Sequence, residues 1–187
     1  MDLLADIYAK TDFESWLEQE STNNWAIGEW QPAIKPFFPE WERNIEIPID
    51  EFQEGIFVFK VSLAKAWRRI AIPADLNLDS LSGSILDAFD FDSDHLYEFS
   101  YKDRFGIKAT VNHPYTEEPP STDEVCIGDL PLKPGDNMVF RFDFGDNWKF
   151  QVLLEQIDPP NAKIKKPKML ESHGRAPKQY SGWDGEW

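Results

Sequence analysis

The chain has 187 residues, enough for one hydrophobic core with an appendage, and its 41% hydrophobic and 28% charged residues are those of a globular protein, not a disordered one. Its formal charge is −15, with 3 Lys/Arg against 13 Asp/Glu in residues 1–55 and 16 against 21 in residues 56–187, so the chain as a whole repels a phosphate backbone. A single cysteine, Cys126, excludes an internal disulfide and a thiolate metal cluster, and no run approaches the ~20 apolar residues of a membrane span.

Residues 1–54 read as an acidic, Trp-rich extension. Its start lacks the basic-then-apolar layout of a secretion signal, so the expected compartment is the cytoplasm. Leu3, Leu4, Ile7 and Tyr8 share one helical face, which predicts a helix over about 3–19. From Trp25 to Asp50 prolines punctuate an aromatic run and forbid a long helix or central strand, which predicts an extended arm that packs by its rings. The regular domain is expected over 55–187. Alternating Phe57, Phe59, Val61 and Leu63 predict a strand over 56–63, paired through a turn at Ala64-Lys65 with a second strand over 67–72. Leu78, Leu81, Ile85, Leu86 and Phe89 form one stripe and predict a helix over 78–89, capped by Asn77 or Asp75. Gly83 inside that helix suggests close packing.

A third strand is expected over 96–102, then a long polar connection over 103–135. The final hairpin joins strands over 138–144 and 148–157 through Gly145-Asp146-Asn147, with Phe140, Phe142 and Phe144 on one face. From about residue 158 the tail is expected to be irregular. The order ββαβ…ββ implies an α+β fold, a mixed or antiparallel sheet covered on one face by one helix, resembling a β-grasp.

Asp143-Phe-Gly has the letters of a kinase metal-binding triplet, but the partner motifs are missing, and a hairpin turn is the expected role. Asp90, Asp92 and Asp94 alternate as in calcium loops, yet His95 stands where the loop needs Gly and Tyr101 where it needs Glu. Carboxylates at a helix C-terminus oppose the helix dipole, which calls for His95, a nearby Arg or a cation to relieve them. His95, beginning a strand beside that helix end, is the best single candidate for chemistry. With Asp143, Asp146 and Glu155 it forms the candidate catalytic set around the hairpin mouth. Trp67, Arg68, Arg69 and Trp148 are the binding candidates. Arg68 and Arg69 point to opposite faces of their strand, and one is expected to clamp Asp143, Asp146 or Glu155 internally. The three histidines are too scattered for a local metal motif, and neither a metal nor a cofactor is expected. Lys163–Lys168 reads as a solvated basic linker.

Phe59-Lys-Val-Ser-Leu, Trp67-Arg-Arg-Ile, His95-Leu-Tyr-Glu-Phe and Phe142-Asp-Phe-Gly-Asp-Asn-Trp148 together resemble the plasmid pRiA4b ORF-3-like family, over about residues 56–183. The tail Gly174-Arg-Ala-Pro-Lys-Gln-Tyr180 is similar to the ending of one branch. The resemblance implies a link to mobile elements, since members often carry transposon-passenger or resolvase labels. A serine recombinase needs a nucleophilic serine among arginines and a basic helical DNA-binding unit, and this chain shows neither. Where members commonly carry a His two residues after the motif Trp, this chain has Phe150, so a two-histidine site would lack a member. The expectation is a noncatalytic protein-interaction module with a protein partner. The alternatives are a metal-assisted or hydrolase-like enzyme at the 143–148 hairpin and a nucleic-acid-binding accessory protein, and the oligomeric state is open.

Overall fold

The computed structural model describes residues 51–180, so the helix expected near 3–19 and the aromatic arm over 25–50 lie outside the described residues. Apolar side chains, partly continuous in β1 (Ile56–Leu63) and β2 (Ala66–Pro73) and alternating in β3 (Tyr97–Lys102), β5 (Asn137–Phe142) and β6 (Trp148–Asp158), build five strands. Two strands of weaker pattern, β4 (Lys108–Asn112) and β7 (Lys168–His173), and one α-helix, α1 (Leu78–Phe89) after β2, complete the set among the described residues, beside short 3-10 turns. The strands form one seven-stranded sheet in the order β4-β3-β5-β6-β1-β2-β7. Every neighbouring pair is antiparallel, which makes this an α+β fold with an antiparallel sheet.

α1 buries its stripe of Leu78, Leu81, Ile85, Leu86 and Phe89 on one face of the sheet, against a layer that includes Phe57, Phe59, Phe99, Phe140 and Phe150. Asn77 is the N-cap: its side chain accepts from the Ser80 backbone N–H at 3.0 Å. At the other end Asp90 turns left-handed (φ 61°), and the Phe91 N–H reaches back to the Leu86 carbonyl at 3.0 Å. Gly83 does not mark close packing, contrary to expectation; a Cβ there would meet nothing within 4 Å. On the opposite face, among the described residues, Ile56, Val58 and Ala71 are buried together, with Ile164 packed over them.

Three local expectations need correction. The 103–135 connection contains β4 and two short 3-10 turns, and the tail expected to be irregular contains β7. Only Val111 of β4 is buried and no residue of β7 is, so neither edge strand carries the two-residue alternation that reveals a half-buried strand. Backbone pairing with β3 and β2 forms them instead. The third correction concerns Phe144: β5 ends at Phe142, and Phe144 lies 40% exposed under the Arg141 guanidinium, 4.7 Å from its ring centre.

Packing also extends back to Phe52, whose ring lies against Gly128, while the Gln53 side chain donates to the Leu130 and Leu132 carbonyls at 3.0 and 3.2 Å. Among the described residues no helix is long and apolar enough to cross a membrane.

Candidate functional site

The left-handed residue ending α1 throws the chain sideways, and Phe91 anchors it by packing edge-on to Trp148 at 5.2 Å and Phe150 at 5.6 Å. The loop from Asp92 to Leu96 then climbs to β3 over the β5–β6 turn, because the Asp143 N–H donates to the Leu96 carbonyl at 3.0 Å. His95 therefore stands at the mouth of the hairpin, its ring tilted against Phe142 and its side chain 40% exposed.

Asp143 builds that mouth. Its backbone is left-handed (φ 54°), a conformation that Asp tolerates better than most residues. One carboxylate oxygen, Oδ1, accepts from the Gly145 and Asp146 backbone N–H groups at 2.9 and 3.3 Å. The other, Oδ2, lies 3.5 Å from His95 Nε2. The turn closes with the Asn147 N–H on the Asp143 carbonyl, and Arg141 Nε donates to the Asn147 side chain at 2.7 Å. One side chain thus fastens the turn and faces the imidazole. Asp143 is mostly buried, not directed away from the core face as an unbroken strand would place it.

Asp94 approaches the same imidazole nitrogen at 3.6 Å. Tyr180 completes the cluster: its hydroxyl donates to Asp94 at 2.8 Å and sits 3.4 Å from His95 Nε2. The hydrogen bond to Asp94 pushes the Tyr180 pKa up to about 12, and the same bond holds the Asp94 carboxyl below the ordinary range. Gln179, almost fully buried, pairs with the Asp92 backbone on both sides, accepting its N–H at 2.6 Å and donating to its carbonyl at 3.3 Å. Gln179 and Tyr180 are absent from the sequence-derived site. Their only signal is the Gly174–Tyr180 tail motif, whose last two residues clamp the loop carrying His95.

Of the expected catalytic set, the structure brings together His95 and Asp143. Asp146 joins only through its backbone N–H. Glu155 is not part of the site. It sits where β6 slips register against β1, and its carboxylate takes Arg69 at 2.6 and 3.1 Å. That ion pair holds Glu155 below the usual carboxylate range and Arg69 above its ordinary value. Arg69 also pairs with Glu171.

The binding candidates separate as well. Arg68 faces α1 with its guanidinium 4.8 Å from the Phe89 ring, and its Nε donates to the Ala88 carbonyl at 2.7 Å. It supplies the positive charge that the helix C-terminus calls for. Trp148 packs beneath the His95 loop against Phe91, with its indole N–H buried and without an acceptor among the described residues. Trp67 stays half-exposed on the face away from α1, between Lys60 Nζ at 4.9 Å and the Arg69 guanidinium at 5.3 Å.

The His95 cluster sets one imidazole nitrogen beside the Asp94 and Asp143 carboxylates at 3.6 and 3.5 Å, the outer limit of a direct hydrogen bond, with the Tyr180 hydroxyl proton already committed to Asp94. Among the described residues no group of three His, Cys, Asp or Glu side chains is arranged to hold a metal ion.

Comparison with solved structures finds similarity to the crystal structure of a protein of unknown function from Methanosarcina mazei Go1. The two share 25% sequence identity with a TM-score of 0.60, over 70% of this chain and 75% of that one. No curated protein matches the chain. The family model described as plasmid pRiA4b ORF-3-like protein matches residues 56–185, which takes in β1 through β7, the His95 loop and the tail that clamps it. On that match the chain belongs to the plasmid pRiA4b ORF-3-like family.

Proposed function

We propose that this protein is a noncatalytic protein-interaction module of the cytoplasm, serving a plasmid-borne or mobile-element system, and that it binds through the β2–β7 end of the sheet face opposite α1. Trp67 carries this reading. It is half-exposed, stacks on His173 at 5.7 Å between ring centres, and is flanked by the cationic groups of Lys60 and Arg69. Aromatic and Arg side chains held in one geometry lose little entropy on binding and recur as interface anchors. Beside it, all six residues of β7 are exposed, with Met169 at 52% and Leu170 at 48%.

The test uses the full-length chain and its Trp67→Ala variant as baits in a quantitative cross-linking pull-down from native-like cells. Removing an interface anchor costs about 2 kcal/mol or more, roughly 30-fold in affinity. The expected result is a stoichiometric protein captured by the parent and lost with the variant, at unchanged melting temperature. Capture of the same protein at equal yield by both baits, or no stoichiometric partner for the parent, overturns the reading.

A further inference from the structure

We propose that the outer edge of β7 takes an acidic, extended polypeptide segment as an added strand, an inference that rests on the interaction-module reading and names the partner's chemistry. β7 is the last strand of the sheet, paired on one side with β2 from Trp67↔His173 to Ala71↔Lys168. Among the described residues nothing pairs with its other side, so a row of backbone donors and acceptors faces outward. The opposite edge differs. On β4 the Asn112 N–H already donates to the Pro120 carbonyl, and the Asn112 carbonyl accepts from Thr122, both at 2.9 Å.

β7 is also held rigidly at both ends. Upstream, Ile164 packs on Ile56, Val58 and Ala71. Downstream, Arg68 Nη1 donates to the His173 and Gly174 carbonyls at 2.9 and 3.2 Å. Gly174 takes φ 74°, and a Cβ there would come within 2.9 Å of the Lys65 carbonyl oxygen. A strand pinned this way is preorganised, so an incoming strand bears less of the ordering cost.

Charge selects the occupant. In a chain of net charge −15, residues 163–178 hold six basic residues and one acid. That acid, Glu171, is paired with Arg69. The basic side chains, Lys163, Lys165, Lys166, Lys168, Arg175 and Lys178, are exposed. Within β7 only Lys168 is basic, and the other five basic residues flank it on either side. Basic residues beside an open edge disfavour a basic strand, whereas an acidic segment that runs past the edge meets them with opposite charge. Nucleic acid offers negative charge but no alternating amide donors and acceptors, and the rest of the acidic surface repels a polyanion.

The probe is a fluorescein-labelled peptide alternating Glu and Val, matched to the six residues of β7, titrated into the full-length protein by fluorescence anisotropy. Parallel titrations use the peptide N-methylated at alternate amides in each register, the Lys166→Glu/Lys168→Glu protein, and a single-stranded oligonucleotide of similar charge. The expected result is saturable binding that weakens with salt, and at least about tenfold with N-methylation in one register and with charge reversal. Absent binding, equal binding of both N-methylated peptides, indifference to charge reversal, preference for the oligonucleotide, or self-association that occludes β7 in sedimentation each overturns the proposal. If a Trp67-dependent protein partner is recovered while the peptide fails, strand addition falls and the interaction reading stands. If the peptide behaves as expected and no cellular partner is found, the reverse holds.

Discussion

Arg68 and Arg69 are adjacent and carry the same charge, but a strand sends them to opposite faces. Arg69 stays half-exposed and pairs with Glu155 and Glu171, an arrangement that solvent and salt weaken. Arg68 is 9% exposed and donates to four carbonyls: Ala88 at 2.7 Å, Trp67 and His173 at 2.9 Å, and Gly174 at 3.2 Å. It therefore binds the end of α1, β2 and the end of β7 into one joint. Arg68→Ala leaves these acceptors unsatisfied in a buried place and is expected to destabilise the fold by about 3 kcal/mol, with Arg69→Ala clearly milder. Urea unfolding checks this, and a loss for Arg68→Ala under about 1 kcal/mol would contradict the assigned role. The doublet was legible in the sequence, but which member serves the interior was not. That depends on which face α1 covers.

α1 shows how far a pattern carries. Its buried stripe and its Asn77 cap follow from 3.6-residue periodicity and from the need to satisfy the first-turn N–H groups. Gly83 shows where it stops. A glycine in a helix means either a close neighbour or a tolerated defect, and here a Cβ would point into open space. Gly83→Ala is expected to stabilise the protein by about 0.5–1 kcal/mol through reduced backbone entropy of the unfolded chain. Thermal unfolding would show a small rise in midpoint, and a fall would contradict the open space around this position. Among the strands, β5 and β6 announce themselves because each buries alternate residues, and β1 because it is apolar on both faces over Ile56–Phe59 and alternates beyond. β4 and β7 do not, because edge strands without a buried face are held by backbone pairing, which has no side-chain signature.

Across the whole molecule, the titratable groups set a window of stability. Glu155 is held below the ordinary carboxylate range by Arg69, so its contribution is present above the unfolded value near ~4.3 and is lost as pH falls through the lower folded value. Tyr97 behaves in the opposite sense. Burial and the hydrogen bond its hydroxyl gives to Asp79 push its pKa up to about 12, so its contribution is full below the unfolded value near ~10 and is lost as pH rises toward the folded one. Melting temperature should therefore be nearly flat between roughly pH 5 and 9 and should fall on both sides. Tyr97→Phe should lower the plateau and shallow the alkaline limb. An alkaline limb of unchanged slope in that variant would show that Tyr97 does not govern it.

The candidate site divides along the same line. His95 and Asp143 stood out in the sequence because a histidine beginning a strand and an Asp-Phe-Gly turn are local features. Glu155 looked like their companion only through proximity in the chain, but the alternation of β6 sets it opposite core-facing Leu154, on the face where Arg69 pairs with it. Tyr180 lies 85 residues from His95 and still reaches it, because pairing of β7 with β2 carries the tail back across the end of the sheet. By itself the amino-acid sequence determined the α+β class, the helix, the central strands and the family, all of which rest on periodicity and short motifs. Only the tertiary structure decided which arginine is internal, that the tail closes over His95, and that among the described residues β7 ends the sheet between two basic stretches. These outcomes depend on strand order and on backbone hydrogen bonds between distant segments, and neither leaves a local trace in side-chain pattern.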